Sequence, residues 1–197
     1  VDWQLLDWNV PGGVFSHQGS YISALNAIVG AAGGYLQPHN TDQQFRALAR
    51  YPTPAWEWAS VAPDYELPSD VTTRETIDWV EKPRYNRVYV SGQGGGVLGR
   101  YSRTGSAGDV LAQPVVDQLV TGANAVRQRG RAILSDTGRI ATVGLRLPVL
   151  ETTGIIPPGK FVRYVDEGVT RLGLTRSVAV DCALPTVWQN ITVETHV

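Results

Sequence analysis

Residues 121–149 read TGANAVRQRGRAILSDTGRIATVGLRLPV, and this stretch decides the fold of the chain. Its first half places small and apolar residues at helical spacing, while most of its arginines fall on the opposite side. The sequence DTG at 136–138 is typical of a turn, because glycine readily adopts the left-handed conformation that ends a helix. Apolar residues then alternate from 141 to 147, the period of a strand with one buried face. We therefore expect a helix, with Thr121 as a possible cap, lying against a sheet or across a barrel mouth.

The residues on either side of this stretch predict further helix and strand. Ser20 can cap a helix that runs to Ala32, where two glycines end it. Short strands are expected at 35–37 and 43–51, and another at 87–91. Downstream, the pattern predicts strands at 160–165, at 169–180 and from 187 onwards, joined by turns. Periodicity alone thus indicates a mixed α and β structure.

The segment 52–83 is rich in proline and tryptophan and looks irregular. Prolines at 52, 54, 63 and 68 argue against a long helix or a central strand in this segment. We expect it to lie extended over a surface, pinned by Trp56 and Trp58. A boundary is placed near Arg84, which divides the chain into domains 1–84 and 85–197.

Composition bounds the class of protein. The chain has 197 residues, 43% of them hydrophobic and 18% charged, as in folded globular proteins. A formal net charge of -1 argues against nucleic-acid binding driven by bulk charge. No apolar run approaches the roughly 20 residues of a membrane-spanning helix, so no membrane insertion is expected. The single cysteine, Cys182, excludes an internal disulfide, and its apolar neighbours predict a buried thiol. The chain begins with valine and lacks methionine, so we expect a fragment whose natural start is missing.

Motifs for catalysis or cofactor binding are weak. The pattern Gly94-x-Gly96-x-x-Gly99 resembles a dinucleotide-binding loop, but the residues that follow it do not open an amphipathic helix. No G-x-S-x-G serine motif occurs. The histidines lack the spacing of metal ligands; they are His17, His39 and His196. We expect no enzyme activity, no cofactor and no metal.

A carbohydrate-binding or cell-wall-glycan-degrading domain is the alternative. Acids in and after the tryptophan-rich segment could supply the carboxylate pair of a glycosidase: Glu57, Asp64, Glu66, Asp78 and Glu81. Trp56 and Trp58 could stack on sugar rings, although loop anchors or subunit contacts are the favoured interpretation. Arg127, Arg129 and Arg131 form a basic helix face that predicts paired acids or a subunit interface.

An ordered series of segments carries a family resemblance. In chain order these are ISALNAIVGAAGGYLQP, YNRVYVSG, AGDVLAQPVVDQLVTGANAVRQRGRAIL, ATVGLRLPV, IIPPGKFVRY, GLTRSVAV and VWQNITVETH, spanning residues 22–196. The series resembles the baseplate-hub and tail-tip proteins of tailed bacteriophages, the late-control-D and Mu-type hub superfamily.

The resemblance implies an α+β, predominantly β fold. Residues 85–197 would form an antiparallel, tube-like β-barrel with one long bracing helix, and residues 1–84 a small α+β domain. The implied function is a structural ring that joins the tail tube to a spike or fibre. Expected partners are two further copies in a homotrimer and other tail proteins, with DNA only as passing cargo. The expected location is the virion tail tip, reached from the host cytoplasm during assembly.

Overall fold

The computed structural model describes residues 1–93, 97–183 and 185–197, which fold into two compact units. Unit 1 comprises Val1–Pro54 and Arg84–Asp136, and unit 2 comprises Ala55–Pro83 and Thr137–Val197. Each unit is therefore assembled from two separate segments of the chain. The division into continuous domains 1–84 and 85–197 stays a prediction.

The described chain contains two α-helices, one 3-10 helix and twelve strands. In order they are β1 (Asp2–Trp3), α1 (Tyr21–Ala31), β2 (Gly34–Pro38), β3 (Phe45–Ala49), the 3-10 helix (Ala55–Ser60), β4 (Tyr65–Glu66), β5 (Thr73–Glu81), β6 (Arg87–Ser91), β7 (Leu98–Ser102), β8 (Val115–Val116), α2 (Ala123–Ser135), β9 (Arg139–Pro148), β10 (Phe161–Asp166), β11 (Val169–Ala183) and β12 (Thr186–His196). Neither α-helix is long and apolar enough to cross a membrane.

Unit 1 contains both α-helices and two small sheets, with strand orders β1-β3-β2 and β7-β6-β8. The predicted cap of α1 is confirmed, because the Ser20 hydroxyl oxygen accepts a hydrogen bond from the backbone N–H of Ser23 at 3.2 Å. Gly33 follows with φ +68°, a left-handed conformation in which glycine carries no steric cost. The helix then leads directly into the β2–β3 hairpin.

Helix α2 packs closely on the β6–β7 strands, as the periodicity predicts. A Cβ added to Gly130 would lie 2.4 Å from the Cβ of Tyr101, and one added to Gly99 would lie 2.2 Å from Val126. On another side of α2, a Cβ on Gly33 would lie 2.6 Å from the Cβ of Ala132. Glycines thus let the helix approach its neighbours closely. The predicted cap is wrong: Gly122 occupies the N-cap position without a side-chain bond.

Unit 2 is built on a six-stranded sheet with the order β4-β10-β11-β12-β9-β5. All pairs are antiparallel except β4 with β10. A cluster of buried residues, most of them from the sheet, forms the core: Leu67, Ala141, Val143, Leu145, Leu147, Ile156, Val162, Tyr164, Ile191 and Val193. The fully buried Gln189 fastens the loop after β9, donating to the Gly154 carbonyl at 2.9 Å and accepting from the Ile156 N–H at 3.0 Å.

The expected antiparallel β-barrel is wrong. The six-stranded sheet is mixed and open, with β4 at one edge and β5 at the other, and no sheet among the described residues closes on itself. Strand β4 has only two residues, and β5 pairs with β9 alone. Alternating residues reveal which face of a strand is buried, but they do not reveal whether the two edge strands meet.

Two local expectations are also corrected. The segment 52–83 is not irregular throughout, because its end forms the nine-residue strand β5. Every proline cited against a strand lies at or before position 68, and β5 is an edge strand, where sequence constraints are weaker. The Cys182 side chain is exposed and not buried, since it lies towards the far end of the long strand β11.

Candidate functional site

Each histidine has a local partner on its own part of the chain. His17 bonds to Ser23 at 2.7 Å, the Nδ1 of His39 lies 3.5 Å from Asp42, and the Nε2 of His196 lies 2.9 Å from Glu194. No cluster of three or more metal-ligating side chains occurs in the ranges that the structure describes. Gly94 and Gly96 of the glycine motif lie outside the described residues, while Gly99 belongs to β7.

Two acids of the carbohydrate hypothesis hold β4 and the residue before it against β10. Asp64 accepts hydrogen bonds from the Lys160 ammonium at 3.0 Å and from the Phe161 N–H at 2.8 Å. Glu66 forms an ion pair with Arg163, its register partner on β10. Carboxylates engaged in this way fasten a strand, which is a structural task.

The tryptophans of the 3-10 helix differ in exposure. Trp58 is only 5% exposed, and its ring makes edge-to-face contacts with Phe161 and His196, with centroids 5.3 and 4.7 Å apart. Trp56 is half-buried. Stacking on a sugar requires an open ring face, so the burial of Trp58 disfavours the carbohydrate alternative. As interface candidates, both tryptophans stay a prediction.

The three predicted arginines of α2 have different surroundings. Arg129 is half-buried and donates to the Gly30 carbonyl at the end of α1 at 2.6 Å. Arg131 donates to the Pro52 carbonyl at 3.2 Å, and Arg127 is exposed. Arg129 thus joins the two helices, whereas Arg127 and Arg131 present charge to a cavity. Their role at an interface stays a prediction.

Helix α2 also holds the N-terminal segment, a role that sequence reasoning missed. The buried Gln128 accepts from the Leu6 N–H at 2.8 Å and donates to the Leu6 carbonyl at 2.9 Å. Asn124 donates to the Asp7 carbonyl at 2.7 Å, and Thr121 to the Asn9 carbonyl at 2.6 Å. Glutamine amid arginines gives no periodic signal, so only the tertiary structure identifies this contact.

A cavity of about 420 Å³ opens in unit 1 between this N-terminal segment, β7 and α2. Three arginines line it together with four neutral residues: Leu6, Arg100, Tyr101, Ser102, Arg127, Gln128 and Arg131. Arg127 and Arg131 are four residues apart on α2, so they lie one turn apart on the same side of the helix. Arg100, on the neighbouring strand β7, also lines the cavity. This cavity is called the arginine cavity.

Two further polar networks perturb the titration of their members. The hydrogen bond from Asn86, with a donor–acceptor distance of 2.9 Å, holds the pKa of the Asp109 carboxyl below its usual value. Burial raises the pKa of the Tyr164 phenol, against a smaller opposing effect of its 2.9 Å bond to Thr195. Both contacts connect separate parts of the fold. Asn86, the partner of Asp109, joins the start of β6 to residue 110, and Tyr164 joins β10 to β12.

The fold of this chain is similar to that of solved tail-protein structures. The chain is similar to the tail protein from Neisseria meningitidis MC58, with 16% identity, 88% of this chain and 54% of that chain covered, and a TM-score of 0.53. It is also similar to the prophage tail protein gp18 from Listeria monocytogenes EGD-e, with 14% identity, 98% and 59% covered, and a TM-score of 0.50. Comparisons with protein-family models and with curated proteins found no match.

These likenesses establish a shared fold. At such low identity the similarity lies in the arrangement of elements and not in particular side chains. The chain spans between half and three fifths of the length of those two tail proteins.

Proposed function

We propose that this chain is a structural component of the tail of a bacteriophage or prophage. One observation carries the proposal: 88% and 98% of the chain share the fold of two tail proteins. The side chains agree with a structural role, because the acids and histidines described above fasten strands and loops.

The finer proposal places the chain at the tail tip, in a baseplate hub. There it forms a homotrimeric ring that joins the tail tube to a spike or fibre, with DNA only passing through. The ordered segments that resemble the hub superfamily support this placement. Other tail proteins are the proposed partners, and the proposed location is the virion, after assembly in the host cytoplasm.

The edge strand β5 supports assembly with other subunits. Its nine residues are exposed or half-buried, and Trp79 and Val80 are 43% and 44% exposed. One side of its backbone is paired with β9, and the other is an edge of the sheet. An exposed edge of this length is a template for pairing with another chain, and its charged residues would restrict the choice of partner strand.

The trimer is tested by sedimentation velocity on the full-length protein, with a trimer as the expected species. Val80→Arg on β5 should shift the protein towards monomer, because it places a charge at the proposed contact. Val165→Arg is the matched control, since Val165 is 46% exposed on β10, an inner strand of the sheet, and should leave the trimer intact. A monomer at every concentration, or equal effects of both variants, would contradict the trimer.

The location is tested on induced phage or prophage particles with antibodies against this chain. Gold label at the end of the tail distal to the head is the expected result. Label distributed along the tail, on the head, or absent from intact particles would contradict the tail-tip placement.

A further inference from the structure

The arginine cavity holds more positive charge than its surroundings neutralise. Arg100 and Arg127 are exposed and make no hydrogen bond or ion pair with any residue of the described chain. Arg131 bonds only to a backbone carbonyl, at 3.2 Å. Among the residues that the structure describes, no aspartate or glutamate lines the cavity. Three arginines therefore line this cavity, and within the described ranges none of the three is paired with an acid.

Several other arginines of this chain form ion pairs with carboxylates. Arg74 and Arg171 both pair with Asp166, and Arg176 pairs with Glu194 at 2.8 Å. The chain as a whole is nearly neutral, with 17 basic and 18 acidic residues. Like charges held close together repel, and a bound anion relieves this repulsion.

We propose that the arginine cavity binds the carboxylates of an acidic segment of a partner protein. Guanidinium groups bind carboxylates through paired N–H donors, and arginine is the preferred residue for such contacts at interfaces. The identification of the partner as another tail protein rests on the proposed function. The chemistry of the site does not, because it follows from the charges that line the cavity.

The shape of the site favours acidic side chains over nucleic acid. The cavity volume of about 420 Å³ lies within the range of pockets that bind small molecules, roughly 300–1,000 Å³. A duplex instead presents a continuous row of phosphates, about one charge per 1.7 Å, and is bound by extended basic surfaces. The three arginines here line a concavity instead, where individual carboxylates can enter.

The neutral residues of the cavity define how a carboxylate would be held. The oxygen and the nitrogen of the Gln128 side-chain amide both bond to the backbone of Leu6, so this amide holds the N-terminal segment in place. A carboxylate would therefore bind to the arginines. The Ser102 hydroxyl oxygen accepts from Arg87 at 3.3 Å, which leaves its proton for a ligand. Leu6 and Tyr101 supply apolar surface for the methylene groups of glutamate.

Fluorescence anisotropy with a labelled peptide of six glutamates tests the proposal on the isolated chain at low salt. The double variant Arg100→Gln plus Arg127→Gln should weaken binding by roughly tenfold or more, since two charge-assisted contacts are lost. Arg103→Gln is the matched control, because Arg103 is an exposed arginine of the same unit outside the cavity. It should change binding by less than about twofold.

The outcomes are separable. Equal losses in the double variant and the control, or no peptide binding by the parent chain, would overturn the proposal.

A labelled oligothymidylate is tested in parallel, and a stronger dependence of its binding on Arg100 and Arg127 would instead assign the cavity to nucleic acid. Circular dichroism verifies the folding of each variant. Neither the trimer nor the tail location enters this assay, so its failure is distinct from theirs.

Discussion

Gly130 and Gly30 both lie within helices, but only one has a close neighbour. A Cβ on Gly130 would lie 2.4 Å from the Tyr101 Cβ, whereas one on Gly30 would have nothing within 4 Å. We expect Gly130→Ala to lower the free energy of unfolding by about 1–3 kcal/mol, because overpacking outweighs the better helix propensity. Gly30→Ala should raise it by up to about 1 kcal/mol. Urea denaturation measures both, and changes of the same sign would contradict the packing argument.

Asp109 provides a prediction about pH. Its pKa is depressed in the folded state by the hydrogen bond from Asn86, so its contribution to stability is fully present above the unfolded-state pKa of about 3.9. That contribution is lost as the pH falls through the lower folded-state pKa. Asp109→Asn removes the charge and should destabilise the protein at pH 6, with a difference that shrinks on acidification. Denaturation at a series of pH values measures it; a constant difference would count against the prediction.

At the scale of the element, α2 acts as the support of the N-terminal segment. We expect Gln128→Leu to lower the free energy of unfolding by about 1–3 kcal/mol, because the N–H and carbonyl of Leu6 lose their partners. Amide hydrogen exchange should accelerate at Leu6 in this variant. Gln18→Leu, at an exposed position, is the control and should leave that amide unchanged. Unchanged protection of Leu6 in Gln128→Leu would refute the role assigned to α2.

Elements with a strong period were predictable. Helix α1 with its Ser20 cap, helix α2 and strand β9 follow from local spacing and turn residues, which the structure confirms. Strand β5 was not predicted, because the prolines upstream of it led to the expectation that the whole segment is irregular. Its exposed residues on both faces also lack the alternation by which a half-buried strand is recognised.

The candidate site was only partly predictable for a related reason. Arg127 and Arg131 share a helix, so their proximity follows from a spacing of four residues. Arg100 joins them through the packing of β7 against α2, which depends on Gly130 and Gly99 admitting close contact. No local pattern encodes that approach.

At the scale of the whole molecule, pairing order was the feature that the sequence did not reveal. The barrel prediction failed because β4 and β5 stay apart as edges of an open sheet. We expect hydrogen exchange in the isolated chain to be slowest in the inner strands β9, β10, β11 and β12, which are paired on both sides, and fastest in the edge strand β5. Within the assembled trimer, the β5 amides should become protected. Fast exchange of β5 in both states would argue against its pairing with another subunit.

The close approach of α2 to β7 has a consequence for how this sequence can evolve. Positions 130 and 101 share one small volume, and so do positions 99 and 126. A larger residue at one member of a pair is tolerable only if the other member becomes smaller. Homologues that retain this packing should therefore show compensating changes in side-chain size at 130 with 101 and at 99 with 126, and a change at one position alone should be selected against.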